Sequence, residues 1–137
     1  LHDPGALAEV ALAARQAALW DPLLGWAAAQ GIALTPTAGI LHVAQPQASL
    51  EAYGRALEAL DAFRIAALHN AVTLTGSAVT GLAMTLGRVT AEEAFNIAYL
   101  DEHWQMELSG EDEEELARLD IRRSELAETS RFIGLLG

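Results

Sequence analysis

The chain has 137 residues, a formal net charge of −11, no cysteine and no lysine. Hydrophobic residues make up 52% of it and aromatic residues only 6%, so alanine and leucine dominate, which favours helices over a β-sandwich. This length fits a single domain with a real core, over residues 1–137. Without cysteine there are no disulfides and no thiolate sites. Because phosphate binding needs a basic face, the charge argues against nucleic acid as a partner.

The first predicted element is a helix over residues 4–30. Asp21 followed by Pro22 is a favourable helix start, so the sequence leaves open a division into two pieces there. Trp20 and Trp26 flank this junction. Because tryptophan is large and mostly buried, we expect both to anchor the core, with ligand contact as the alternative.

Residues 32–43 have the alternating pattern of short strands, with turn residues at 36–39, and they predict a small β-hairpin. His42 lies in the second strand of this hairpin. We expect it to be structural, because no cysteine or second histidine stands at metal-binding spacing.

Two helices are predicted in the middle of the chain. Ser49 is the expected N-cap of the first, and Asp61 either caps a successor or lies within a longer helix. The almost uncharged residues 63–86 predict one central helix, kinked near Gly76, whose small side chains let neighbouring helices approach closely. The uncharged run over 65–87 is long enough to span a bilayer, but its polar side chains favour a buried helix of a soluble domain, without membrane insertion.

Thr90 and Glu93 have the spacing of a capping box and predict a helix that continues unbroken to Leu108. On a helical wheel this helix is apolar on two faces, which is typical of a buried helix. Asp101 and Glu102 then fall among apolar positions. Because burying an unpaired carboxylate is costly, each needs a charged partner, an altered protonation state or an exposed functional surface.

Ser109 is the predicted N-cap of the last helix, and the five acids at 111–115 suit its first turns because the helix dipole favours negative charge there. The apolar seam predicted for this helix comprises Leu116, Leu119, Leu126 and Ile133. This seam is interrupted, so we expect the last helix to pack incompletely on the other helices.

The sequence holds no Gly-rich phosphate loop, no nucleophile elbow and no pair of Glu-x-x-His motifs for a di-iron bundle. Asp101 and Glu102 are neighbours that point about 100° apart on a helix, and such residues seldom serve one substrate together. We therefore predict a protein that is not an enzyme and has no catalytic residue, metal or cofactor. The alternative is a helical ligand-binding or enzymatic domain that uses these two acids in a closed pocket. A third hypothesis is a structural adaptor in which both acids form salt bridges, with Arg64, Arg118 and Arg122 as candidate partners.

Three segments, WDPLLGWAAAQG, GILHVAQP and YLDEHWQMELSGEDEEE, together resemble the assembly chaperones of the F-type ATP synthase that bind its free alpha subunit, the Atp12 family. The resemblance is also carried by ARQAALWDP, by GRVTAEEAF and by the Gly-Ser step in the central helix, and it spans most of residues 12–136. It implies a mainly α fold, an irregular or orthogonal bundle of about five to six helices with the hairpin near residues 32–43.

The resemblance also implies a chaperone that covers the beta-facing surface of the alpha subunit until the hexamer assembles. Such an unassembled interface is an exposed apolar patch. The family's acidic position falls on Asp101 or Glu102, with Gln105 in the same motif, and these residues either contact the client or hold the chaperone's own helices. The residues expected to anchor the interface or the core are Trp20, Asp21, Trp26 and Trp104.

Three departures from the family accompany this resemblance. The family's N-terminal β-rich domain is absent, and the chain begins with Leu1, so we expect a C-terminal helical part of a longer protein. A Tyr-Arg segment expected before ARQAALWDP is missing, and Ser109 stands where family members often have tryptophan. The lysine-free, alanine-rich composition suggests a bacterial source and hence the cytoplasm, with the mitochondrial matrix as the compartment of a eukaryotic protein. We expect a monomer.

Overall fold

The computed structural model of the protein describes residues 4–37, 40–44 and 47–137. Within these ranges the chain forms seven helices and one antiparallel hairpin. The elements in chain order are α1 (Pro4–Ala29), β1 (Leu34–Thr37), β2 (Ile40–Val43), α2 (Gln47–Glu58), α3 (Ala62–Thr75), α4 (Ala78–Thr85), α5 (Ala91–Ala98), α6 (Leu100–Ser109) and α7 (Glu113–Leu135). The predicted mainly α fold with a small hairpin is confirmed. The predicted number of five to six helices is too low, because two of the expected helices are each divided.

The division that the sequence left open at Asp21 and Pro22 does not occur, since α1 runs through Pro22 as one helix of 26 residues. A proline inside a helix removes one backbone hydrogen bond and crowds the preceding turn. Trp20, Leu23 and Ala27 are nevertheless buried at 8%, 2% and 0% exposure. Packing of this face on the core therefore keeps the helix continuous across the proline.

The hairpin forms where it was predicted, with Leu34 opposite Val43. Of the expected turn residues 36–39, Pro36 and Thr37 belong to β1, and Ala38 and Gly39 lie outside the described residues. Ser49, the predicted N-cap, lies inside α2, and its Oγ accepts a hydrogen bond from the Ala33 N–H at 3.0 Å. This side chain joins α2 to the hairpin and does not cap its own helix.

The long helix predicted over 63–86 is two helices. Asp61 caps α3, which was one of the two alternatives for this residue. At the other end, α3 is capped by Gly76, whose φ of 69° lies in the left-handed region that favours glycine. Ser77 then caps α4 by accepting from the Thr80 N–H at 3.2 Å. The predicted kink is therefore a complete break, and it places α4 against α3.

The core is centred on α4, in which every residue from Val79 to Thr85 is buried. α4 packs against α1, β2, α3, α5 and α7. Gly81 lets α3 and α4 approach closely, because a Cβ there would lie 2.6 Å from Val72 Cγ2 and 2.9 Å from Val72 N. The predicted role of the small residues in close helix packing is thus met at Gly81.

The capping box of Thr90 and Glu93 is present, with both of its hydrogen bonds formed. The helix that it begins does not reach Leu108, however, because α5 ends at Tyr99 and α6 follows as a separate helix. Ser109 closes α6 and is not an N-cap. Asp112 caps α7 in its place, and its Oδ1 accepts from the backbone of the first turn.

Candidate functional site

The step from α5 to α6 is fixed by Tyr99. Its hydroxyl donates to the Leu74 carbonyl oxygen at 2.6 Å, and burial raises the pKa of this phenol. Its ring centroid lies 5.2 Å from that of Phe95. Tyr99 thereby holds the end of α5 on α3, and the chain restarts as α6 at Leu100.

α6 lies at the surface, since Leu100 and Trp104 are its only buried residues. Leu108, predicted on the apolar face, is 57% exposed. The wheel that placed Asp101 and Glu102 among buried positions assumed one unbroken helix. The chain instead breaks at Tyr99, while Ile97, Leu100 and Trp104 are buried as predicted and both carboxylates are half-buried.

One flank of α6 is held by α1. The Arg15 guanidinium donates to Glu107 at 2.9 Å and forms an ion pair with its second carboxylate oxygen at 2.8 Å. The same guanidinium lies 5.0 Å from the centre of the Trp104 ring, a cation–π distance. Arg15 could not be identified from sequence patterns, because its partners are about ninety residues away along the chain.

The predicted anchors lie in different surroundings. Trp20 and Trp104 are buried in the core at 8% and 9% exposure. Trp26 is half-buried against that core, and Asp21 is exposed at the surface of α1. Their proposed part in an interface stays a prediction.

Asp101, Glu102 and Gln105 are brought together on the outer face of α6. They line a cavity of about 450 Å³ that opens to solvent, which we call the acidic depression. The remaining residues lining it are Met106, Ser109, Gly110, Asp112 and Glu115. Four carboxylates thus line one shallow cavity. The alternative hypothesis of a ligand-binding or enzymatic domain required a closed pocket at Asp101 and Glu102, and this cavity is open to solvent.

Neither Asp101 nor Glu102 forms any of the five ion pairs in the described part of the chain. The three candidate partners pair elsewhere: Arg64 with Asp61, Arg118 with Glu115 and Arg122 with Glu125. The adaptor hypothesis, which required both acids in salt bridges, is therefore wrong. One oxygen of Glu102, Oε2, is buried and accepts no hydrogen bond.

Arg118 lies beside the acidic depression, where it pairs with Glu115. Arg118 donates to Glu115 at 2.6 and 3.0 Å, and these hydrogen bonds hold the pKa of the Glu115 carboxyl below its usual value. Its guanidinium also lies 6.0 Å from the Tyr99 ring. Because Arg118 is engaged with Glu115, it leaves the charges of Asp101 and Glu102 without a direct counter-ion.

A second cavity lies on the other side of Met106, and we call it the α1–α6 groove. It has a volume of about 600 Å³. The residues lining it are Arg15, Ala18, Leu19, Asn96, Leu100, His103, Met106, Glu107, Glu111 and Leu116. The imidazole of His103 stands edge-on to Phe95 at 5.4 Å. Sequence patterns could not reveal this groove, because it exists only where α1 and α7 meet α6.

Within residues 4–37, 40–44 and 47–137, no three histidine, aspartate or glutamate side chains are arranged so that they could hold one metal ion. His42 is exposed on β2. Among the helices described, none is both long enough and apolar enough to cross a membrane.

No family model and no curated protein matches the chain. The crystal structure of Atp12 from Paracoccus denitrificans matches with a TM-score of 0.78 and 37% identity, covering 91% of this chain and 54% of that one. An aspartate-to-lysine mutant of the same protein matches with a TM-score of 0.77, 35% identity and the same coverage. A candidate chaperone from Agrobacterium tumefaciens matches with a TM-score of 0.75 and 39% identity, covering 90% of this chain and 46% of that one. The chain thus belongs to the Atp12 family, and it spans about half the length of these solved structures.

Proposed function

We propose that the chain is a non-enzymatic chaperone of ATP synthase assembly, which binds the free alpha subunit and shields its beta-facing surface until the hexamer forms. The observation that carries this proposal is the match to Atp12, at 37% identity over 91% of the chain. The chain would supply the helical part of such a protein, corresponding to its C-terminal half. We propose that it acts as a monomer, in the cytoplasm of a bacterium or in the mitochondrial matrix of a eukaryote.

We place the client-binding surface on the outer face of α6, at Asp101, Glu102 and Gln105. A carboxylate that served only to hold the fold would be expected to have a buried partner, because an unpaired buried charge is costly. These two acids instead line an open depression without an ion pair. That arrangement is typical of a surface that completes its interactions with another molecule.

The experiment is a binding measurement between the protein and isolated ATP synthase alpha subunit, with the variants Asp101→Asn and Glu102→Gln. If the mutated carboxylate is desolvated against a cation of the client, we expect affinity to fall by about 2 kcal/mol, roughly thirtyfold. The matched controls are Asp120→Asn and Glu128→Gln, which change exposed acids of α7 away from the depression. They should bind like the wild type.

Circular dichroism and thermal melting of each variant separate the two roles left open for the acids. Lost binding with an unchanged melting temperature assigns the acid to the client surface. Lost binding with a large fall in melting temperature assigns it to the fold of the chaperone. If the wild-type protein itself does not bind the alpha subunit, the chaperone proposal is wrong.

A further inference from the structure

Five of the ten residues that line the α1–α6 groove are apolar, and four of these five, Ala18, Leu19, Met106 and Leu116, are accessible to solvent. Leu19 and Met106 are half-buried, and Leu116 remains 37% exposed although it was predicted to lie in the seam of α7. Neighbouring leucines of that seam, Leu119 and Leu126, are buried at 2% and 0% exposure. Since removing apolar surface from water is favourable, the groove suits an apolar side chain from outside the molecule.

The surface around this groove is strongly anionic. Residues 101–115 contain eight carboxylates and no arginine: Asp101, Glu102, Glu107, Glu111, Asp112, Glu113, Glu114 and Glu115. In the described part of the chain only Glu107 and Glu115 of these form ion pairs, with Arg15 and Arg118. The uncompensated charge attracts cationic segments and repels anionic ones.

Met106 lines both the α1–α6 groove and the acidic depression, so the two cavities are adjacent on either side of one side chain. Asp101 and Glu102 line the depression, and neither forms an ion pair with the described residues. A guanidinium is well suited to this position, because its planar donors match a carboxylate. The two cavities can therefore be filled by neighbouring side chains of one polypeptide.

We propose that the α1–α6 groove and the acidic depression together bind a polypeptide segment in which an apolar side chain stands beside arginine or lysine. The apolar side chain enters the groove against Leu116, and the cation reaches Glu102 and its neighbours across Met106. This inference rests on the proposed chaperone function and defines which segments of a client the protein recognises. It combines apolar burial for affinity with charge for selectivity.

The chain offers a matched pair of reporters for testing this, because it has only two methionines. Met106 lines the groove, whereas Met84 is buried in the core at 2% exposure. The protein is labelled with methyl-¹³C methionine and titrated with a Gly/Ser peptide carrying one leucine between arginines. We expect the Met106 methyl signal to shift while the Met84 signal stays in place.

Two altered peptides separate the apolar contribution to binding from the electrostatic contribution. Replacing the leucine by serine should weaken binding about tenfold, because the burial of an apolar side chain is lost. Replacing the arginines by glutamates should weaken it at least about threefold, with the effect reduced at high salt. In the protein, Leu116→Ser should weaken binding, and Ile121→Ser, at a 58% exposed position of the same helix, should not.

The outcomes separate this inference from the proposed function. If the alpha subunit binds but the Met106 signal does not move, or if all three peptides act alike, the docking inference is overturned and the chaperone function stands. If the leucine–arginine peptide shifts Met106 selectively and the alpha subunit does not bind, the docking surface stands and the proposed client is wrong.

Discussion

α4 and α6 are helices of similar length with opposite surroundings. α4 has eight residues, no ionisable side chain, and complete burial from Val79 to Thr85. α6 has ten residues, of which only Leu100 and Trp104 are buried, and it carries Asp101, Glu102, His103 and Glu107. This difference in burial indicates that the two helices contribute differently to the protein. α4 is where packing determines stability, and α6 carries its charged side chains near the surface, where they cost the fold little.

The largest effect that would test this division is a cavity in α4. Leu82 is fully buried at 0% exposure, so Leu82→Ala should lower the free energy of unfolding by about 2–5 kcal/mol. The matched control is Leu108→Ala in α6, where the side chain is 57% exposed and the expected change is under about 0.5 kcal/mol. Urea unfolding followed by circular dichroism measures both. Equal losses in the two variants would contradict the contrast between the helices.

A smaller effect is expected from added volume at the contact of α4 with α3. In Gly81→Ala the new methyl group meets the backbone of Val72 at 2.9 Å, which neither helix can relieve by a rotamer change, and we expect a loss of about 1–3 kcal/mol. Gly25→Ala is the control, since nothing lies within 4 Å of a Cβ there.

In an open helical position alanine should stabilise by about 0.5–1 kcal/mol. The two substitutions are chemically identical. A melting temperature that falls in Gly81→Ala and rises in Gly25→Ala would therefore isolate the contribution of packing between α3 and α4. A stable Gly81→Ala variant would show that α3 and α4 can move apart.

The features that the sequence predicted correctly depend on residues close together in the chain. The capping box needs only Thr90 and Glu93, three positions apart, and its two hydrogen bonds form as expected. The break at Gly76 was anticipated as a kink, because glycine and small residues mark such places locally. Even there the sequence could not show that α4 would turn fully against α3.

The features that could not be predicted from the sequence depend on contacts between residues far apart in the chain. The end of α5 at Tyr99 is fixed by a hydrogen bond to Leu74, twenty-five positions earlier, and a helical wheel cannot contain it. Asp101 and Glu102, which the helical wheel placed among apolar positions, are half-buried in α6. The acids were still identified, because charged residues in an apolar pattern stand out, but the groove beside them was not.

The smallest expected effect concerns acid and the cap of α3, the helix that packs on α4. The hydrogen bond from the Arg64 backbone N–H, at 2.8 Å, and the Arg64 side chain hold the pKa of the Asp61 carboxyl below its usual value. A carboxyl with a lowered folded-state pKa stabilises the protein above its unfolded pKa, and this contribution disappears as pH falls through the folded-state value.

Asp61→Asn keeps a good N-cap oxygen but removes the charge. We therefore expect a slightly lower melting temperature than the wild type at pH 7, and a difference that disappears as pH falls through the lowered folded-state pKa of the Asp61 carboxyl. Asp120→Asn, at an exposed carboxylate with no hydrogen bond or ion pair to the described residues, should show no such convergence. α4 contains no titratable group, so acid can weaken it only through neighbouring elements such as this cap. A constant difference across the pH range would mean that the Asp61 charge adds nothing beyond its capping oxygen.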